Sequence, residues 1–454
     1  MAVQFEKTIR ALLDEKKYQT LKDILVTMEP ADIAAVFEDL EEERMPVLFR
    51  LLPKETAAET FAELDSEWQE LLIRGFSDRE LHEVVNELYV DDAADLVDEM
   101  PANVVKRILA QADPEMRKEI NEILRYPENS AGSIMTTEYV SLRPGMTVAE
   151  AITRIRRTGV DKETIYTCYV TEGRKLLGAV SVKDLLLAAD DETPVSEIMD
   201  ENVISVNTLT DQEEVAQMLS KYNFLALPVV DTDGRMVGIV TFDDAMDILV
   251  EETTEDIEKM AGMLPSEKTY LRSNAWDLFR HRIPWLALLM VSATFTGMII
   301  TGFESALAAQ VVLTAFIPML MDTGGNSGSQ ASVTIIRALS LGELDFSDLP
   351  RVVWKEVETA ALCGTALSLL CFGKIMLVDR LLLGNPITLS VALVVCLTMA
   401  MTVLIAKIVG CTLPLAAKKV GFDPAVMASP FITTIVDALS LLVYFGIASA
   451  LLFP

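Results

Sequence analysis

The sequence predicts a multidomain chain: an α-helical superhelical N-domain, a tandem pair of small α+β units, and an all-α transmembrane domain of five helices. Three observations predict it. From Ile283 onward the chain holds 10 acidic and 8 basic residues, whereas 58 acidic and 30 basic residues precede that point. Hydrophobic periodicity is helical at first, switches to short alternating runs near residue 128, and ends in long apolar stretches. The middle stretch also repeats itself. The first part therefore carries about −28 of the net −30. Such a surface repels nucleic acid and attracts divalent cations; for the charge taken alone, the other reading is a merely solvated acidic surface.

Residues 1–128 form the acidic helical domain, punctuated by proline. Pro30-Ala-Asp-Ile-Ala-Ala-Val-Phe-Glu-Asp-Leu40 resembles the stretch from Pro53 to Leu64, and Val90 to Met100 echoes both. In each, proline or an acid opens a helix and apolar residues follow at helical spacing. Stacked helices in a short superhelix are expected. The N-terminus lacks an apolar signal core, so this part is expected to stay in the cytosol.

Residues 129–250 open at the turn-rich Tyr126-Pro-Glu-Asn-Ser-Ala-Gly-Ser133 boundary. Ile134-Met135 matches Ile198-Met199, and Leu177-Gly-Ala-Val-Ser-Val-Lys-Asp184 matches Val237-Gly-Ile-Val-Thr-Phe-Asp-Asp244. These repeats, about 60 residues each, resemble two cystathionine-β-synthase (CBS) domains. The resemblance implies an adenosine nucleotide site, with ATP as its ligand, at Ser181 with Asp184 and at Thr241 with Asp244. The competing reading is that these residues only cap the helices that follow.

A charged connector follows, with a connecting helix expected over 251–276. Asp243, Asp244, Asp247, Glu251, Glu252, Glu255, Asp256 and Glu258 crowd together, and several share one helical face. Like charges at that spacing are destabilising, and a bound cation reverses the sign.

The transmembrane domain, 277–454, shows apolar spans at about 283–303, 305–339, 356–378, 387–413 and 425–452. Five crossings from a cytosolic start leave the C-terminus outside. The positive-inside rule agrees, since Arg280, Arg282, Arg337, Arg351, Lys355, Lys418 and Lys419 flank the cytosolic ends and only Arg380 is external. In the second span Asp322, Asn326 and Gln330 recur every four residues, and Pro318 and several glycines are expected to loosen the helix. The last span holds Asp437 near its middle, where an acid costs ~2.5–3.5 kcal/mol on insertion scales. Thr433 lies one turn before it, and Pro430 is expected to free carbonyls that serve as ligands. Carboxylate, hydroxyl and carbonyl are hard oxygen donors, suited to Mg²⁺ or Ca²⁺.

With the strings Asp322-Thr-Gly-Gly-Asn-Ser-Gly-Ser-Gln330 and Asp423 to Asp437, the chain resembles the MgtE magnesium transporter/channel family over nearly its whole length. The resemblance implies a homodimer in the cytoplasmic membrane with its pore between subunits. It implies a pore ion site at Asp437, Thr433, Ser429, Asp322, Asn326 and Gly325, with Asp437 central. It further implies closure by cytosolic Mg²⁺ at Asp91, Asp95, Asp211, Glu213, Asp244, Asp247, Glu252, Glu255 and Asp256. Asn223 stands where a related chain is expected to carry an acid, and Asp322 adds a charge that some relatives lack.

Other classes fit less well. With only two histidines, five cysteines and no Cys-x-x-Cys pair, a zinc site or Cys/His nucleophile is not expected. A CBS-regulated anion channel needs basic pore groups, and the spans offer acids. A CBS-regulated enzyme needs a catalytic domain for which no soluble segment remains, so the chain is not expected to be an enzyme. A secondary exchanger coupling Mg²⁺ to Na⁺ or H⁺ stays open, as does transport of other divalent cations.

Overall fold

The structure is a computed structural model describing residues 2–38, 40–266, 270, 273–427 and 429–452. The chain divides into two compact units, Met1–Leu249 and Val250–Pro454.

The first unit begins with α1 (Ala2–Asp14), α2 (Tyr18–Leu25), α3 (Pro30–Glu38), α4 (Met45–Phe49), α5 (Lys54–Ala62), α6 (Ser66–Gly75), α7 (Asp78–Val85), α8 (Val90–Glu99), α9 (Ala102–Gln111) and α10 (Pro114–Ile123). Proline sets the starts: Pro30 opens α3, Pro53 and Pro101 precede α5 and α9, and Pro114 opens α10. Each odd-numbered helix packs on the next odd one, α1 on α3 through to α7 on α9, which generates the superhelix. Phe37, Phe49 and Phe61 run through its core edge to face, with centroids 6.2 and 6.3 Å apart.

The repeated part of this unit contains β1 (Tyr139–Leu142), α11 (Val148–Thr158), β2 (Thr164–Glu172), β3 (Lys175–Ser181), α12 (Val182–Leu186) and α13 (Val195–Ile198). Its second copy contains β4 (Val206–Asn207), α14 (Gln212–Tyr222), β5 (Ala226–Val230), β6 (Met236–Thr241) and the start of α15 (Phe242–Met260). The sheets run β1-β2-β3 and β4-β5-β6, each with one parallel and one antiparallel pairing. The matched Ile-Met strings explain the pairing of the copies. Thr136 and Ile239 exchange backbone hydrogen bonds at 2.9 Å, as Ala179 and Asp200 do at 3.0 and 2.8 Å. Gly178 and Gly238 clear space for this: a Cβ on either would lie 2.7 Å from the Sδ of Met199 or Met135, respectively. The segment preceding each copy thus packs on the sheet of the other.

The second unit takes the rest of α15, then α16 (Ala275–Gly302), α17 (Glu304–Ala309), α18 (Ile317–Ser340), α19 (Leu349–Lys374), α20 (Leu389–Val420) and α21 (Ser429–Leu452). The connecting helix differs from expectation. It starts at Phe242 and stops at Met260, where Gly262 turns the chain at φ +73° and Pro265 follows. The second span also differs, because a 3₁₀ turn at Val311–Phe316 separates α17 from α18. Pro318 lies in the first turn of α18, where its missing N–H is tolerated, so α18 is unbroken through Asp322–Gln330 and is not loosened there. Among the described residues, four helical stretches are long and apolar enough to cross a membrane: Ala275–Gly302, Phe346–Leu382, Leu389–Val420 and Ala425–Leu452. The polar middle of α18 keeps it out of that group.

Candidate functional site

Glycine decides which face of α18 points where. A Cβ at Gly324 would lie 2.7 Å from Thr402 Cγ2, one at Gly325 3.0 Å from Thr433 Cγ2, and one at Gly328 2.8 Å from Ile432 Cγ2. This buried stripe seats α18 against α20 and α21. The opposite face is exposed on the single chain and carries Asp322, Asn326 and Gln330. Asn326 Nδ2 donates to Asp322 Oδ1 at 3.1 Å. Asp437, on the neighbouring α21, is half-buried and within electrostatic reach of Asp322. The structure thus brings Asp322, Asn326 and Asp437 to one polar flank of the α18–α21 pair. Gly325 and Thr433 lie in the packing seam beside it, and the side chain of Ser429 lies outside the described residues. Pro430 departs from expectation: it sits at the start of α21, and its carbonyl accepts hydrogen bonds from the hydroxyls of Thr433 and Thr434 at 2.9 and 3.1 Å.

One end of the bundle is basic. Lys418 Nζ donates to the Leu339 carbonyl at the C-terminus of α18, 3.2 Å away, and Lys419 lies over the Phe346 ring at 3.9 Å. The last turns of α15 dock at the C-terminal end of α18 and before α21. Asp256 accepts from Ser340 Oγ at 2.9 Å, and Met260 packs on Ile336 and Ala425. Lys259 Nζ sits between Glu255 Oε1 and Asp423 Oδ2, 2.6 and 2.7 Å away. An ammonium thus stands beside Glu255, one of the carboxylates the sequence offers to a cation. Burial raises the pKa of Asp256, the Ser340 hydrogen bond opposes this, and Asp423 adds to it.

The first unit holds a second acidic site. Asp91 and Asp92 lie on the first turn of α8, and Asp243, Asp244 and Asp247 on the first turns of α15. Glu63, Glu138 and Glu163 join them from loops. Burial, reinforced by Asp244 and the other acids, pushes Asp92 up to about 7 and Glu163 up to about 8. Asp91 is raised well above the carboxylate range for the same two reasons. Burial also raises Asp247 and Glu63, each with help from Asp243. Glu163 Oε2 is buried with no hydrogen-bond partner. Among the described residues, no three His, Cys, Asp or Glu side chains converge tightly enough to enclose a bare metal ion. A cation that keeps its waters suits such a nest, and Mg²⁺ is one.

The remaining sequence-derived residues fall elsewhere. Asp95 lies one turn beyond Asp91 on α8, and Glu252 on α15. Asp211 caps α14 by accepting from Glu213 N at 2.9 Å. Asn223 ends that helix in the left-handed region, at φ 54°, which asparagine tolerates better than most residues. Ser181 caps α12, its Oγ bonded to Asp184 at 2.5 Å, on the exposed side of the first copy. Thr241 bonds Asp244 in the same way, but there Thr241 is buried and Asp244 is half-buried in the acidic nest. Asp92, Asp243, Glu63, Glu138 and Glu163 were not singled out by sequence reasoning as site residues. Asp243 lay within the visible charge run, whereas the three glutamates carried no spacing signal.

Comparison with known proteins agrees with this layout. Residues 317–447 match MgtE, described as a divalent cation transporter. Residues 28–129 match the MgtE intracellular N domain, and residues 131–191 and 195–251 match the CBS domain. The chain is 38% identical over 450 residues to the magnesium transporter MgtE of Thermus thermophilus, covering 98% of each chain. It is 32% identical over 440 residues to that of Bacillus subtilis, covering 97% of this chain and 95% of the other. Among solved structures, the cytosolic domain of the Mg²⁺ channel MgtE in complex with ATP is 40% identical with a TM-score of 0.51, covering 55% of this chain and all of that one. The soluble part of a magnesium transporter is 29% identical with a TM-score of 0.52, covering 56% of this chain and 99% of that one. With its helical domain, paired CBS copies and apolar helical bundle following in the same order as in these relatives, the chain belongs to the MgtE family of divalent cation transporters.

Proposed function

We propose that the chain is a Mg²⁺-selective, channel-like uptake pathway of the cytoplasmic membrane, closed by cytosolic Mg²⁺. The observation that carries this reading is the polar flank of Asp322, Asn326 and Asp437, which faces outward from the bundle's own core. A polar face at membrane depth needs a water-filled path or a partner. A second copy presenting the same flank supplies both, in a homodimer with its pore at the two-fold seam. Hard oxygen donors that do not enclose a bare ion suit hydrated Mg²⁺. A divalent ion entering down 100 mV gains ~4.6 kcal/mol, which is sufficient drive. The basic end of the bundle faces the cytosol and the C-terminus lies outside.

Closure follows from the acidic sites of the two units. Mg²⁺ relieves repulsion among Asp91, Asp92, Asp244, Asp247 and Glu163, and Mg²⁺ near Glu255, Asp256 and Asp423 strengthens the docking of α15. The bound ion favours whichever conformation brings these acids together. ATP binds at Ser181 and Asp184, which are more exposed than Thr241 and Asp244. The deciding experiment is Mg²⁺ flux into liposomes. Asp437→Ala abolishes it, and undiminished flux would remove Asp437 as the pore ion site.

A further inference from the structure

The first CBS copy carries a cleft of about 1200 Å³ lined by Arg143, Arg154, Arg157 and Arg174. We propose that this cleft binds a soluble, phosphate-bearing anion of nucleotide size, at a site separate from Ser181 and Asp184.

These four arginines are set apart by being both unpaired and gathered on one cleft; among the described residues, the guanidinium groups of Arg125, Arg156 and Arg235 in the same unit are likewise unpaired. In the same unit Arg44, Arg50, Arg74, Arg79 and Arg107 each pair with a carboxylate at 2.5–3.2 Å. A chain with 58 acids before Ile283 offers such partners freely. Among the described residues, the guanidinium groups of Arg143, Arg154, Arg157 and Arg174 have neither an ion pair nor a hydrogen bond. Two acids also line the cleft, Glu150 and Glu172. Glu150 is held in the cap of α11, where it accepts from Thr147 N at 3.1 Å. Four guanidinium groups against two carboxylates leave an excess of two positive charges in a strongly acidic unit.

The hairpin between β2 and β3 supplies a second observation. Its central residues, Gly173 and Arg174, both lie in the left-handed region, at φ 55° and 71°. That turn favours Asn, Asp or Gly, and a long side chain there is disfavoured. Arg174 is thus kept on the rim of the cleft at a conformational cost.

The chemistry favours phosphate. Planar guanidinium forks match phosphate oxygens in pairs, and several arginines call for several negative charges. Ser141 and Thr171, bonded to each other at 2.8 Å, add hydroxyls to the lining. The cleft is concave and somewhat larger than the usual range of ligand sites. Strand β3 separates it from the other site: at a rise of about 3.3 Å per residue, Lys175 and Ser181 stand roughly 20 Å apart.

The test is calorimetric titration of the purified full-length chain with inorganic tripolyphosphate, in EDTA at low salt. One equivalent binds per chain. Asp184→Ala leaves that binding unchanged, whereas Arg154→Ala/Arg157→Ala weakens it at least about tenfold. Arg174→Gly weakens binding while raising the melting temperature, a combination that a purely structural arginine would not give. Failure of the wild-type chain to bind, equal binding by the arginine variants, or loss in Asp184→Ala would each overturn the proposal. So would arginine-dependent binding to phosphatidylglycerol vesicles without binding of tripolyphosphate. None of these outcomes depends on Mg²⁺ flux, so the pore reading stands or falls separately.

Discussion

Glu163 and Asp92 hold protons at a pH where surface acids hold none. Their folded pKa values, about 8 and about 7, stand above the unfolded carboxylate range. Protonation therefore favours the folded state: the stabilising contribution is complete below about pH 4 and is lost as pH rises through about 7 to 8. In EDTA, the unfolding temperature of the first unit should fall between pH 5 and 8. Mg²⁺ should restore it at pH 8 and do little at pH 5, and Glu163→Gln should flatten the profile. Differential scanning fluorimetry of the full chain measures all three. At this scale the sequence was half legible. Asp244 and Asp247 stood out because they recur at helical spacing in an acidic run, and Asp91 through the family resemblance. Glu63, Glu138 and Glu163 join them only through the tertiary fold, which no local pattern encodes. Lys259 was hidden for the opposite reason, since a lone base among acids reads as an ordinary surface pair.

Two helix-packing features can be tested directly. A Cβ at Gly328 meets Ile432 Cγ2 at 2.8 Å and the Ala406 carbonyl at 3.2 Å, whereas Gly373 on α19 has nothing within 4 Å. Gly328→Ala should destabilise the bundle by about 1–3 kcal/mol. Gly373→Ala should stabilise it by about 0.5–1 kcal/mol. Unfolding in detergent measures both. Between α19 and α20, Lys407 Nζ lies 3.4 Å from Glu356 Oε2, with the side chains 7% and 15% exposed. Lys407→Met should cost about 3–5 kcal/mol by leaving Glu356 unpaired, and Glu356→Met in the same chain should recover most of that loss. Read along the sequence, Lys407 is one base inside an apolar run, and its partner lies 51 residues away. The prolines were misread for a related reason. Pro318 and Pro430 look like helix breakers until the true helix starts are known, and both lie at those starts.

Across the whole molecule, order and class were legible because each part has its own period and charge, and because the CBS copies repeat. The exchange of flanking segments between the copies was not, since matched Met-Gly contacts across a repeat look like ordinary conservation of each copy's own core. The proposed dimer makes a further prediction. Asn326→Cys chains should cross-link on oxidation, because that position on the polar flank faces its equivalent, while Leu362→Cys chains, exposed on another helix, should not. Gel mobility under non-reducing conditions reads this out. The glycine stripe also limits how such a pore opens. With α18 pressed to α20 and α21 almost backbone to backbone, no helix of the three has slack to slide by itself. In the proposed dimer, each half of the conduit would therefore swing as a single stiff wedge, with the aperture changing by hinging one wedge away from its twin.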